Sequence, residues 1–214
     1  MLRKVRMKEK RTLRTLNIWG ALTFLWKGMD VMHQSTSKTR LSVFVGVFSA
    51  MAFLLQMLGS MMGLKVGGFL EIEFSDLPAL IITFAYGPLA GVLCELIKNL
   101  LHCLMTSTGY VGELANFVIN GTFCLVAGVI YKYNRHFKGA ILSLIFASLA
   151  MAIAGIFANL YIMLPLYMAS APFEAKMHIV LYTILPFNIV KGIVISLITL
   201  LTYKKISPLL HGKI

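Results

Sequence analysis

The chain has 214 residues, of which 58% are hydrophobic and 13% charged, against roughly 25% charged in a soluble domain. That composition excludes a soluble globular domain and a disordered chain, and three cysteines inside apolar runs, Cys94, Cys103 and Cys124, are too few for a disulfide scaffold. The net charge of +12 would suit nucleic acid in a soluble protein, but ten of the twenty Lys and Arg lie between Arg3 and Arg40, ahead of the first apolar run, where positive charge sets orientation across a bilayer. The class is an integral membrane protein, and no nucleic-acid partner is expected.

Residues 1–40 read as a basic N-terminal extension. Its apolar stretch, Leu16 to Trp26, is about half the length needed to cross a bilayer, so an interfacial helix on anionic lipid and a disordered tail both fit it. A helix crossing about 30 Å of hydrocarbon needs about 20 apolar residues. Leu41 to Leu64 meets that requirement, and along it Ser42, Gly46 and Ala50 recur every four residues. Small residues at this spacing let another helix approach closely, either within the bundle or from a partner protein.

The loop from Gly63 to Asp76 carries Gly63, Gly67 and Gly68 with Glu71, Glu73 and Asp76. It reads as a backbone-shaped segment able to cover something, or as a solvated loop. Ser75-Asp76-Leu77-Pro78 is a helix-start signal. The 29 residues from Leu77 to Met105 are too long for one helix of ordinary span, and Gly87-Pro88 offers a break. Three more spans follow: Asn116 to Tyr131 with its flanks, Ala140 to Leu164, and Ile179 to Tyr203.

Charge parity decides the count. Placing Lys132, Arg135 and Lys138 on the same side as the basic N-terminus requires an even number of crossings before them, hence two helices from Leu77 to Met105. The predicted fold is all-α, a bundle of six transmembrane helices over residues 41–205, with both termini cytoplasmic and a short tail at 206–214. Sixteen basic residues then lie inside and only Lys65 and Lys176 outside, while Lys98 and Lys191 fall within spans.

An ionisable group inside a membrane is costly unless paired or facing water, so each is a functional candidate. Glu95, Lys98 and Asn99 share one helix face, as a structural ion pair, a coupling device or the centre of an intramembrane enzyme. Asn188 and Lys191 repeat the i, i+3 spacing just after Pro186, in a span without an acidic residue, and Asn159 lies at comparable depth in the fifth span. These three suit a largely uncharged ligand with hydrogen-bonding edges, or interhelical hydrogen bonds. Glu113 reads as a helix cap. His102 and His178 lack a partner at metal-ligand spacing, so no metal is expected. No P-loop, HExxH or GxSxG is present, so an active transporter would draw its energy from elsewhere.

Several segments together resemble the riboflavin-binding S component of energy-coupling-factor (ECF) vitamin transporters. They are Glu73-Phe74-Ser75-Asp76-Leu77-Pro78-Ala79-Leu80, Tyr86-Gly87-Pro88-Leu89-Ala90-Gly91, Leu96-Ile97-Lys98-Asn99 and Pro186-Phe187-Asn188-Ile189-Val190-Lys191-Gly192. The resemblance implies a six-helix bundle in the bacterial cytoplasmic membrane that binds riboflavin at its outer side, carries no cofactor and catalyses no reaction. A T component and two ATPase subunits would energise it. It further implies flavin contacts at Asn159, Asn188 and Lys191, cover from loop residues such as Phe69 and Leu70, and a T-component contact at Ser42, Gly46 and Ala50. An S component for another vitamin is the nearest alternative.

Overall fold

The structure is a computed structural model that describes residues 38–63, 65–66, 70–71, 74–105 and 110–210. The expectation for the basic extension therefore concerns mostly residues outside the described part, as does Phe69. Met1–Val43 and Phe44–Ile214 form separate units. In the first, residues 38–43 are helical, with the Ser42 hydroxyl donating to the Lys38 carbonyl at 3.2 Å.

Four helices are long and apolar enough to cross a membrane: α1, Lys38–Met62; α4, Val111–Tyr133; α5, Phe137–Tyr167; and α6, whose apolar part is Phe173–Thr202 and which continues as helix to Leu210. Between α1 and α4 stand the shorter α2, Asp76–Tyr86, and α3, Pro88–His102. Each long helix exposes large apolar side chains, such as Leu54, Leu125, Phe157 and Val190, the surface expected to face lipid.

The Leu77 to Met105 stretch breaks at Gly87-Pro88, as its sequence predicts. Gly87 has φ 99° and ψ 176°, a region open essentially to glycine, and Pro88 occupies the first position of α3, where its missing N–H costs nothing. The break is a reversal rather than a kink. Lys98 touches Ser75 and Asp76 at the far end of α2, and Gly91 lies against Thr83 near the turn, so the two helices run antiparallel.

Small residues set the packing of α5. Ser143, Ala147, Met151, Gly155 and Asn159, all buried, recur every fourth position and form one stripe. Its neighbour α6 packs antiparallel to it, with Gly192 against Ser148 and Gly155 against Asn188. Such close approach is the usual means by which membrane helices associate, because lipid is as apolar as leucine and only contact distinguishes them.

α5 widens near its C-terminal end and α6 near its N-terminal end into π turns, Asn159–Met163 and Val180–Ile184. Each lies just ahead of a proline, Pro165 and Pro186. Proline cannot donate to the carbonyl four residues back and its ring crowds that carbonyl, and one wide turn relieves both problems. The loop after α1 is not wholly irregular. It holds a two-strand antiparallel ladder, β1 at Lys65–Val66 and β2 at Leu70–Glu71, with Val66 opposite Leu70.

Candidate functional site

The wide turns carry the polar residues singled out above. Asn159 opens the π turn of α5, and Asn188 follows that of α6 by four residues. Both are buried, 2% and 3% exposed, in a setting where an unsatisfied amide is costly. Each amide nitrogen donates to its own helix, Asn159 Nδ2 to the Gly155 carbonyl at 2.8 Å and Asn188 Nδ2 to the Ile184 carbonyl at 3.0 Å. Each amide therefore keeps its Oδ1 acceptor and the second N–H of its Nδ2 for a ligand.

Asn159, Asn188 and Lys191 form a staggered line rather than one level. Asn188 lies against Gly155, four residues and so about 6 Å of helix rise below Asn159, and Lys191 follows three residues further along α6.

Lys191 has an acidic partner after all, supplied by another helix. Its Nζ lies 2.9 Å from Asp76 Oδ2. Asp76, fully buried in the first turn of α2, also accepts from Lys98 Nζ at 3.0 Å, and Lys98 contacts Glu95 at 2.6 Å and the Ser75 hydroxyl at 3.0 Å. The charges run Glu95, Lys98, Asp76, Lys191, alternating in sign, and they sum to zero when all four are ionised. Alternation keeps every charge next to its opposite, the condition under which buried ions are tolerated. The Glu95–Lys98 pair is thus present as its spacing predicts, but Asn99 donates to the Glu95 backbone carbonyl at 2.8 Å and not to its carboxylate.

Asp76 is the residue that sequence reasoning missed. It reads as a helix start, yet two lysines within spans and one acid, Glu95, leave one ammonium without a counter-ion, and Asp76 at the start of α2 was the acid available to it. Glu113 also does more than cap α4: its Oε1 lies 3.0 Å from His102 Nδ1, joining the C-terminal end of α3 to the first turn of α4.

Leu70 packs on an apolar group formed by Leu160 and Leu164 of α5 with Val180 and Ile184 of α6, which lie in and beside the two wide turns. Gly46 and Ala50, and Ser42 before them, are exposed, and a side chain at Gly46 would meet nothing within 4 Å. Packing inside the bundle therefore gives no reason for glycine there.

A family model described as "ECF transporter, substrate-specific component" matches residues 40–203. The chain belongs to this family. Among its relatives, riboflavin transporter RibU of Staphylococcus aureus is 39% identical over 147 residues, covering 66% of this chain and 77% of that protein. Riboflavin transporter FmnP of Bacillus subtilis is 36% identical over 180 residues, 80% of this chain and 94% of that one. A solved structure of the S component of a bacterial ECF transporter superposes with a TM-score of 0.67 at 34% identity, covering 79% of this chain and 96% of that chain. As members of an ECF transporter family, these proteins are transport components and not enzymes, which argues against reading Glu95, Lys98 and Asn99 as a catalytic centre. Among the ECF substrate-specific components, then, this chain is a multi-pass membrane protein with buried polar side chains beside the two wide turns.

Proposed function

We propose that the chain is the riboflavin-binding subunit of an ECF transporter, taking the vitamin from outside the cell and releasing it inside when driven by a T component and two ATPase subunits. The observation that carries this reading is the presence of two buried amides, Asn159 and Asn188, and an ammonium, Lys191, beside an apolar group on which Leu70 packs. Riboflavin is neutral, with a flat apolar ring system and one edge in which an imide N–H stands between two carbonyls. An amide oxygen suits the N–H, the remaining amide N–H and the ammonium suit the carbonyls, and the apolar group with Leu70 suits the ring. The names of the relatives point to the same ligand.

In this reading all six helices cross the bacterial cytoplasmic membrane, with both termini inside and residues 41–205 as the binding domain. The exposed Lys132, Arg135 and Lys138 between α4 and α5 support that orientation. The test is the visible spectrum of detergent-purified protein with mass spectrometry of what denaturation releases. A yellow protein yielding one riboflavin per chain is expected; a colourless protein that leaves added riboflavin fluorescence unquenched overturns the flavin assignment.

Two substitutions probe the parts separately. Asn188→Ala removes an acceptor beneath a buried ligand N–H and is expected to weaken riboflavin binding by about 1 to 3 kcal/mol, read by fluorescence titration. Unchanged affinity would take Asn188 out of the site. The exposed Ser42, Gly46 and Ala50 are the proposed T-component contact, so Gly46→Leu is expected to leave riboflavin binding intact while abolishing uptake by cells that hold the complete transporter. Normal uptake by Gly46→Leu would place the contact elsewhere.

A further inference from the structure

Lys191 is anchored by the protein's own side chains. A lysine ammonium sits on four rotatable carbons and orders poorly unless something anchors it. Here its Nζ is 2.9 Å from Asp76 Oδ2, and Asp76 itself cannot swing, because Lys98 binds its other oxygen at 3.0 Å and Lys98 is in turn clamped by Glu95 and Ser75. All four clamping residues are buried, so each contact is screened little by water.

We infer that Asp76 is a positioning residue for the ligand: it touches no ligand itself, but orders the Lys191 ammonium and neutralises it, so that the site meets a ligand carbonyl with an aimed donor and no net charge. The inference rests on the riboflavin reading above. A donor ordered in advance raises affinity because the ordering cost is met on folding rather than on binding. Asp76 opens α2 directly after the covering loop, so the residue that aims the ammonium is covalently continuous with the segment that carries Leu70.

A double-mutant cycle on riboflavin affinity tests this in the full chain. Asp76→Asn is expected to raise the Kd at least tenfold in the wild-type background and less than twofold in a Lys191→Met background, where there is no ammonium left to aim. The double variant is charge-balanced, which favours its recovery, and Asp76→Glu serves as the single variant if Asp76→Asn is not recovered folded. The infrared carbonyl band of bound riboflavin supplies a readout that a merely structural role would not move. Asp76→Asn is expected to shift it in the same direction as Lys191→Met. Equal losses of affinity in both backgrounds, or wild-type affinity in Asp76→Asn, overturn the inference while leaving riboflavin as the ligand. Failure of the wild-type protein to bind riboflavin overturns both.

Discussion

Lys98→Met is expected to destabilise the ligand-free protein by about 3–5 kcal/mol, the range observed when one partner of a buried ion pair is removed. The reason lies in the order of charges. Lys98 stands between Glu95 and Asp76, 2.6 and 3.0 Å away, and all three are completely buried. Removing the ammonium leaves two carboxylates facing each other across the vacated space, with Lys191 as the remaining cation of the cluster. Methionine matches the volume of the lysine stem, so the loss would report charge rather than packing. The double variant Lys98→Met, Glu95→Gln, which again balances Asp76 against Lys191, is expected to recover most of the lost stability. Thermal unfolding in detergent measures both variants, and a Lys98→Met protein as stable as wild type would mean that the buried charges contribute little to holding α2 against α3.

Gly155→Leu is expected to reduce riboflavin affinity more than about 100-fold, or about 2.7 kcal/mol. A Cβ at position 155 would stand 2.5 Å from Asn188 Nδ2 and 3.0 Å from its Cγ, so even alanine would displace the amide. Leucine would occupy the amide's place and also push α5 from α6, whose contact depends on small residues. Gly155→Ala should give an intermediate loss, because a single methyl can be met by a small shift of Asn188. Titration of the two variants against riboflavin checks the ordering, and wild-type affinity for Gly155→Leu would show that Asn188 and its surroundings do not contact the ligand.

The two substitutions mark where sequence reading ran out. Gly155 gave no signal of its own, since a glycine among Ala150, Ala152, Ala154 and Ala158 reads as ordinary small-residue packing, and its opposite number lies 33 residues away on another helix. Asn188 and Lys191 were legible because polar groups are rare and costly inside a membrane span. Their depths were less so. Residue counting placed them level with Asn159, but antiparallel packing against Gly155 sets Asn188 one turn below it, and a π turn in each helix adds a residue that an ideal 3.6-residue count does not contain.

Hydropathy and charge were enough, by themselves, to identify a membrane protein, to place its four long helices, with the last one extending six residues before and seven beyond the expected Ile179 to Tyr203, and to divide the short pair at Gly87-Pro88. Those features depend on local composition: an apolar run of sufficient length must be a helix, because lipid offers its backbone no other hydrogen-bond partner, and glycine followed by proline cannot continue one. The Glu95–Lys98 pair was legible for the same reason, being one turn of one helix. Which charge neutralises Lys191, which amide meets Gly155, and which loop residue covers the two wide turns are contacts between helices remote in the chain. The tertiary structure alone decided them, because Coulomb attraction and close packing act across a few ångströms of space whatever the separation in sequence.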